Sequence, residues 1–380
     1  MSYIKAIYRQ AVNQLVAPDI VCGMPTLVIT GGHHNSALVV AQELVKRGVK
    51  VVWFGHRRAS RGDTHDSAEY LEVKANSIPF HNLQAGKIDS TPTFSEIANI
   101  PLGFFRAAKL LKTVRPDAVI SFGGYLGLTT ALPAYFLGIP VYLHEQTVVS
   151  GRANRLVGLL ARHIFLTWES SKRYFPARKV SVVGLPLRQG LLSAHSTKLF
   201  PNNSATILVM GGKQGSHIIN KVIFAILSDL LSHYNVIHQT GTNSATGDYE
   251  AALNLKNSLP DVQSSRYHPV GYLGETEVGK YLASADLYLG RSGVHIAYEL
   301  LYFRRRSLLI PYPHTPGREQ LRQANLLASQ KLALILPEHK LSGRTLLAQV
   351  KQALELAPTR VAPIPLHASL TIVDYILADL

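Results

Sequence analysis

The most restrictive feature of this chain is one pattern that occurs twice. Thr26-Leu27-Val28-Ile29-Thr30 reads as a buried strand running into Gly31-Gly32-His33-His34-Asn35-Ser36. Leu38, Ala41 and Val45 then recur at helical spacing, with Asn35 or Ser36 placed to cap the helix. Lys46, Arg47 and Gly48 close it, and a second apolar strand follows at Val51 to Phe54. Roughly half a chain later, Thr206-Ile207-Leu208-Val209-Met210 enters Gly211-Gly212-Lys213-Gln214-Gly215-Ser216. A helix with Ile218, Ile219, Val222, Ile226 and Leu230 on its inner stripe comes after it. A strand, glycine turn, helix and strand in series imply a right-handed parallel crossover. Two such starts predict an α/β architecture of two Rossmann-like domains, and 380 residues suffice to bury a core in each.

The remaining elements fit this frame. Ile78-Pro79-Phe80, Val119 to Ser121, Val141 to Leu143, Ile164 to Thr167 and Val180 to Val183 read as strands, and 152–163 as a helix. The charged, turn-rich stretch from Arg57 to Glu72 reads as a long loop. Gly184-Leu185-Pro186-Leu187-Arg188 reads as the crossing between domains. Strands near Val236 to Gln239, Asp286 to Leu289 and Leu308 to Ile310 continue the second half. Pro311, Pro313 and Pro316 then end the last of these at a loop carrying His314, Arg318, Glu319 and Gln320. The expected division is 1–185 and 186–365, with a last helix in 366–380 returning to pack on the first domain. Residues 1–25 read as an additional N-terminal segment, with a helix expected to Val16, to which no function is assigned.

Composition narrows the chemistry. A single cysteine, Cys22, excludes a disulfide framework and fits a reducing compartment. The first residues contain no uninterrupted apolar signal core, and no apolar run is long enough to span a membrane. The net charge of +15 predicts attraction to phosphorylated substrates, anionic lipid or nucleic acid. The basic residues are dispersed and match no zinc-finger or RNA-binding pattern, which argues against nucleic acid. From Pro101 to Lys112 the sequence suits a basic amphipathic helix for a lipid interface: Leu102, Phe104, Phe105 and Leu110 stand beside Arg106, Lys109 and Lys112. A core helix with a solvated basic face is the ordinary alternative.

Glycine turns at helix starts let backbone N–H groups approach a phosphate closely. There are three here, at 31–32, 123–124 and 211–215. None completes G-x-G-x-x-G, so no dinucleotide cofactor is expected, and G-G-K-Q-G-S lacks the spacing of a P-loop. No metal site is expected either: Val148 breaks H-E-x-x-H after His144-Glu145, and one cysteine cannot build a structural zinc site.

Taken together, these pieces resemble the MurG family of bacterial glycosyltransferases. The matching residues are T-G-G-H at 30–33, F-G-G-Y at 122–125, H-E-Q at 144–146 with Asn154 beyond, and P-L-R at 186–188. They continue with G-G-x-Q-G at 211–215, H-Q-T-G at 238–241, A-D-L at 285–287, R-S-G at 291–293 with Glu299, and P-x-P-H at 311–314. The resemblance covers roughly residues 26–345. It implies a GT-B fold, two Rossmann-like domains facing across a cleft. It implies transfer of N-acetylglucosamine (GlcNAc) from UDP-GlcNAc to a polyprenyl-diphosphate-linked muramoyl-pentapeptide, without a cofactor, at the cytoplasmic face of the cell membrane. The product would feed peptidoglycan synthesis, hence cell-wall biogenesis, cell shape and division.

Site residues are implied in the same way. His33 is the general-base candidate, because an imidazole can accept a proton near neutral pH; its alternative role is a hydrogen bond to the loop or to the acceptor diphosphate. Thr30, Gly31, Gly32, Thr147, Arg188, Lys213 and Gln214 would stand around the donor. Leu273 would edge the uracil, Glu299 would accept the ribose hydroxyls, Ser292, Gly293, Val294 and His295 would lie beneath the diphosphate, and Gln320 would hold the sugar. Gly123, Gly124 and Tyr125 belong to the acceptor side, with Phe104, Phe105, Arg106 and Lys109 toward the membrane. The chain departs from the family in having Val28-Ile29 for a leading glycine pair, Thr147 for an asparagine and Lys213 for a serine. Its Q-x-x-N is displaced, Gln320 and Asn325 being five apart. Rival readings are a related lipid glycosyltransferase with another donor or acceptor, or a catalytically silent sugar-nucleotide-binding protein.

Overall fold

The computed structural model describes residues 24–58, 66–85, 94–212, 214–357 and 363–380. The expectations for most of the N-terminal segment and for Lys213 lie outside them. The first sheet contains β1 (Thr26–Thr30), β2 (Lys50–Gly55), β3 (Phe80–Asn82), β4 (Ala118–Ser121), β5 (Val141–Glu145), β6 (His163–Leu166) and β7 (Val180–Val182). They lie in the order β3-β2-β1-β4-β5-β6-β7. The second sheet contains β8 (Thr206–Met210), β9 (Asn235–Gln239), β10 (Tyr267–Val270), β11 (Leu287–Gly290), β12 (Arg306–Leu309) and β13 (Ala333–Ile335), ordered β10-β9-β8-β11-β12-β13. Both sheets are parallel throughout. In each, chain order reverses beside the first strand, between β1 and β4 and between β8 and β11. Such switch points open a crevice at the carboxyl ends of the strands.

Helices cover both faces of the first sheet. α1 (His34–Lys46), α2 (Ala68–Ala75), α3 (Phe94–Val114), α4 (Gly124–Phe136) and α5 (Arg152–Leu160) belong to this half. Alternation along β1 sends Leu27 and Ile29 to a core shared with α1, and Val28 to the opposite core shared with α3, α4 and α5. The second half carries α6 (His217–Ala225), α7 (Leu227–His233), α8 (Asp248–Ser258), α9 (Glu275–Ser284), α10 (Val294–Tyr302), α11 (Glu319–Ser329) and α12 (Gly343–Leu354). The last helix, α13 (Ala368–Asp379), crosses to the first domain, where Ile372, Val373 and Ile376 join the core beside Leu38 and Val40. Arg47 meets Asp374 at 3.0 Å, and the Tyr142 hydroxyl donates to Asp379 at 2.6 Å.

Several elements differ from expectation. The Arg57–Glu72 stretch ends in a helix, because Ser67 caps α2 by accepting the Tyr70 N–H at 3.2 Å. In α1 the cap position belongs to His33, with no side-chain cap bond; Ser36 lies inside the helix and donates instead to Gln146 Oε1 at 3.1 Å. The long stripe after β8 breaks at Ile226 into α6 and α7, leaving Ile218 outward while Ile219 and Ile223 face the core. α3 begins seven residues before Pro101, which the helix accommodates. α4 is almost uniformly apolar, so it presents no two-faced pattern by which to find it.

Candidate active site

The two glycine turns of the first domain meet at its switch point. Gly31 has φ +131°, and a Cβ there would lie 2.7 Å from the backbone carbon of Phe122. This closeness lets the Gly32 N–H donate to Gly123 O at 3.0 Å, locking the β1 turn to the β4 turn. Asn154, from α5, accepts the Gly124 N–H at 3.0 Å and donates to Glu145 Oε2 at 2.9 Å. The other Glu145 oxygen accepts the Thr147 N–H at 2.9 Å and its hydroxyl at 2.7 Å. A buried carboxylate is thereby fixed behind the turn that carries His33. Burial lowers the His33 pKa below the ordinary imidazole value and the neighbouring His34 lowers it further, while the charge of Glu145 opposes both. The ring is therefore held toward its neutral, proton-accepting form at neutral pH.

The second domain repeats the device. Gly215 has φ +77°, with its backbone against Thr240 and Gly241, so the turn after β8 is seated on the end of β9. Arg291, after β11, donates to Ile310 O at 3.1 Å and Ser216 Oγ at 3.0 Å, and its guanidinium lies 5.4 Å from the Tyr312 ring centre. It also forms an ion pair with Glu338. Ser292 Oγ donates to Gln320 O at 2.9 Å, and Gln320 Oε1 accepts the Tyr312 N–H at 2.9 Å. These bonds tie the proline-rich loop to the starts of α10 and α11.

Between the domains lies a cleft of about 820 Å³. Gly32, His33, His34, Asn35 and Gln146 line it from the first domain, and Arg188 from the crossing. The second domain contributes Gly212, Gln214, Leu273, Gly293, Val294, His295, Glu299 and Gln320. The wall thus presents glycine turns, the N-terminus of α10, a carboxylate and a neutral imidazole. This combination can hold a diphosphate, accept sugar hydroxyls and take up a proton.

Other residues singled out in the sequence stand elsewhere. Thr30, Gly31, Thr147 and Ser292 are buried behind the wall. Thr147 spends its hydroxyl on Glu145 and Val149, and Thr30 contacts Thr130. Gly123, Gly124 and Tyr125 form the adjoining β4 turn, where Tyr125 bonds and stacks with His56. Arg188 donates to Glu72 at 2.9 Å and Asn35 at 3.1 Å, so its charge is paired within the protein. On α3, Phe105 is 68% exposed and Lys109 is exposed, Phe104 is half-buried, and Arg106 donates to Gln84 O at 3.0 Å.

The sequence reading gave no site role to His34, Asn35 or Tyr272; all three line the cleft. Asn325 is exposed, whereas Gln323 is fully buried and donates to Glu319 Oε1 at 3.1 Å. Gln323 is one helical turn from Gln320, and Asn325 is not. Among the described residues no three His, Cys, Asp or Glu side chains are grouped to hold a metal ion.

Residues 28–166 match the glycosyltransferase family 28 N-terminal domain and residues 206–363 the glycosyltransferase family 28 C-terminal domain. A Clostridium botulinum relative is 30% identical over 326 residues, 83% of this chain and 85% of its own length. A Clostridium perfringens relative is 26% identical over 338 residues, 86% and 89% of the two chains. Both are named UDP-N-acetylglucosamine--N-acetylmuramyl-(pentapeptide) pyrophosphoryl-undecaprenol N-acetylglucosamine transferase. Among solved structures, Acinetobacter baumannii MurG superposes with a TM-score of 0.73 at 23% identity, covering 93% of this chain and 99% of that one. The Neisseria meningitidis UDP-GlcNAc 2-epimerase bound to UDP-GlcNAc gives 0.59 at 16% identity, covering 93% and 100%. The fold is GT-B, and the chain belongs to glycosyltransferase family 28.

Proposed function

We propose that this protein is an inverting glycosyltransferase that converts lipid I to lipid II in peptidoglycan synthesis. It moves GlcNAc from UDP-GlcNAc to the 4-hydroxyl of the muramoyl sugar in undecaprenyl-diphospho-MurNAc-pentapeptide. One observation carries this reading: His33 of the first domain and Glu299 with the start of α10 of the second line a single cleft. The names of the relatives support it. Residues 1–185 with α13 form the acceptor domain in this reading, and residues 186–365 the donor domain.

The chemistry follows from the wall. The uracil lies against Leu273, the ribose hydroxyls donate to Glu299, and the diphosphate lies over the start of α10, where backbone N–H groups and the helix dipole favour negative charge. The acceptor oxygen attacks the anomeric carbon from the face opposite the diphosphate. The bond from that carbon to the phosphate oxygen breaks, UDP leaves with the electron pair, and His33 takes the hydroxyl proton.

The acceptor is a lipid, and the reading places the protein peripherally on an anionic membrane surface. No helix among the described residues is long and apolar enough to cross a membrane. α3, α4 and α5 pack side by side on one face of the first sheet. Their outward residues include Leu102, Phe105, Phe136, Leu156 and Leu159, with Lys109, Arg152 and Arg155 among them. An apolar face mixed with cations suits the interface of an anionic bilayer.

Mass-spectrometric product analysis of UDP-GlcNAc with a lipid I analogue tests the reading. The expected result is a disaccharide product with stoichiometric UDP. UDP release with another nucleotide sugar, and none with UDP-GlcNAc, would reassign the donor; binding without release would make the protein a silent binder.

A further inference from the structure

An ion pair at the crossing, Arg188 with Glu72, joins the second domain to the first. Arg188 belongs to the second domain, where its neighbours Leu187 and Leu191 are buried in the core. Glu72 belongs to the first, on α2, which Val73 anchors in the opposite core and Glu69 ties to Trp53 Nε1 at 2.7 Å. Arg188 Nη2 donates to Glu72 Oε2 at 2.9 Å and to Asn35 Oδ1 at 3.1 Å, and His34 Nε2 lies 3.6 Å from the same carboxylate oxygen. Arg188, Asn35 and His34 all line the cleft. The Arg188 and Glu72 side chains are 24% and 26% exposed, dry enough for the pair to persist and open enough for a ligand to reach it.

From this juxtaposition we infer that Glu72 is a positioning residue, an internal counter-ion that holds Arg188 on the first-domain wall until the donor diphosphate displaces it. The inference rests on the proposed reading that Arg188 serves the donor. A guanidinium matches a phosphate in fork geometry as well as it matches a carboxylate, and a diphosphate brings more charge than one glutamate. Exchange of partners therefore favours the diphosphate but costs the Glu72 contact. Because the pair crosses between domains, the same exchange removes a direct tie between them. Donor binding and release of the two domains from each other become one event. Ligands without a diphosphate leave the tie in place, so Glu72 weakens UDP while leaving uridine untouched.

The test is calorimetric titration of UDP and of uridine into the full chain and its Glu72→Gln, Arg188→Ala and doubly substituted variants. Glu72→Gln is expected to tighten UDP about two- to fivefold, the scale of a partly exposed ion pair, and to leave uridine unchanged. In the Arg188→Ala background the same substitution is expected to change neither. Glu72→Ala, judged against its own thermal unfolding, serves if the glutamine variant folds poorly. Weaker or unchanged UDP binding in both Glu72 variants would overturn the inference, as would tightening that persists without Arg188. If Arg188→Ala binds UDP as tightly as the natural chain, the reading of Arg188 falls and the inference falls with it. If Arg188→Ala weakens UDP while the Glu72 variants do not tighten it, the counter-ion role alone falls.

Discussion

His33 and Glu299 line one cleft from different domains, and their replacements should fail differently. Removing the base from a proton-transfer step costs about a hundredfold or more, so His33→Ala is expected to lower kcat by that factor with donor KM little changed. In the proposed reading Glu299 bonds the ribose equally in ground and transition states, so Glu299→Ala should raise the donor KM about tenfold and spare kcat. Steady-state kinetics with a lipid I analogue separates them; turnover like the natural chain's in the His33 variant would remove it as the base. The pH profile adds a sign. A base must be unprotonated, and burial lowers the His33 pKa, so the acid limb of kcat/KM should lie below the ordinary imidazole value near 6.5. At this scale the sequence reveals identity better than orientation. Thr147 and Arg188 were found by motif, but their hydroxyl and guanidinium turn to Glu145, Glu72 and Asn35. Those partners are fixed by how strands and domains meet, which no local pattern records.

At the scale of elements, the turns after β1 and β8 were legible because glycine is the residue that local backbone geometry demands there. Gly215 shows why: its φ of +77° disfavours any side chain, and a Cβ would stand 1.8 Å from Thr240 O. Gly215→Ala should cost at least about 2 kcal/mol in the second domain, since strain and collision add. Urea unfolding followed by UDP binding would measure it; an unchanged midpoint would mean that the seat of this turn on β9 is not rigid. α2 and α4 were not legible, the first hidden in a charged stretch and the second apolar on every side. The exposed face of α3 makes a separate prediction. Burying a phenylalanine in an apolar phase contributes roughly 1.5–3 kcal/mol, so Phe105→Asp should lower partitioning onto anionic vesicles about tenfold or more. Cosedimentation would read this, and activity toward a water-soluble acceptor should be unaffected.

For the whole molecule, two parallel sheets could be read from two repeats of one pattern, while the width of the cleft and its pairing across domains could not. Both domains also bury an imidazole, and this ties overall stability to pH. His144, at the end of β5, donates to Gly184 O at 3.1 Å beside the crossing, and burial lowers its pKa to about 4. His238, in β9, contacts Tyr267 and Asn220 and is lowered to about 3, again chiefly by burial. Below about pH 6.5 the unfolded chain binds protons at both positions while the folded chain does not, so unfolding is favoured as pH falls. Each group should contribute a slope of up to about 1.4 kcal/mol per pH unit between about 6.5 and its folded value, with its full stabilisation present above that window. Urea midpoints at pH 7, 6 and 5 should therefore fall progressively, and His144→Gln should flatten the dependence of the first domain alone. Equal slopes in that variant and the natural chain would assign the acid sensitivity to other groups.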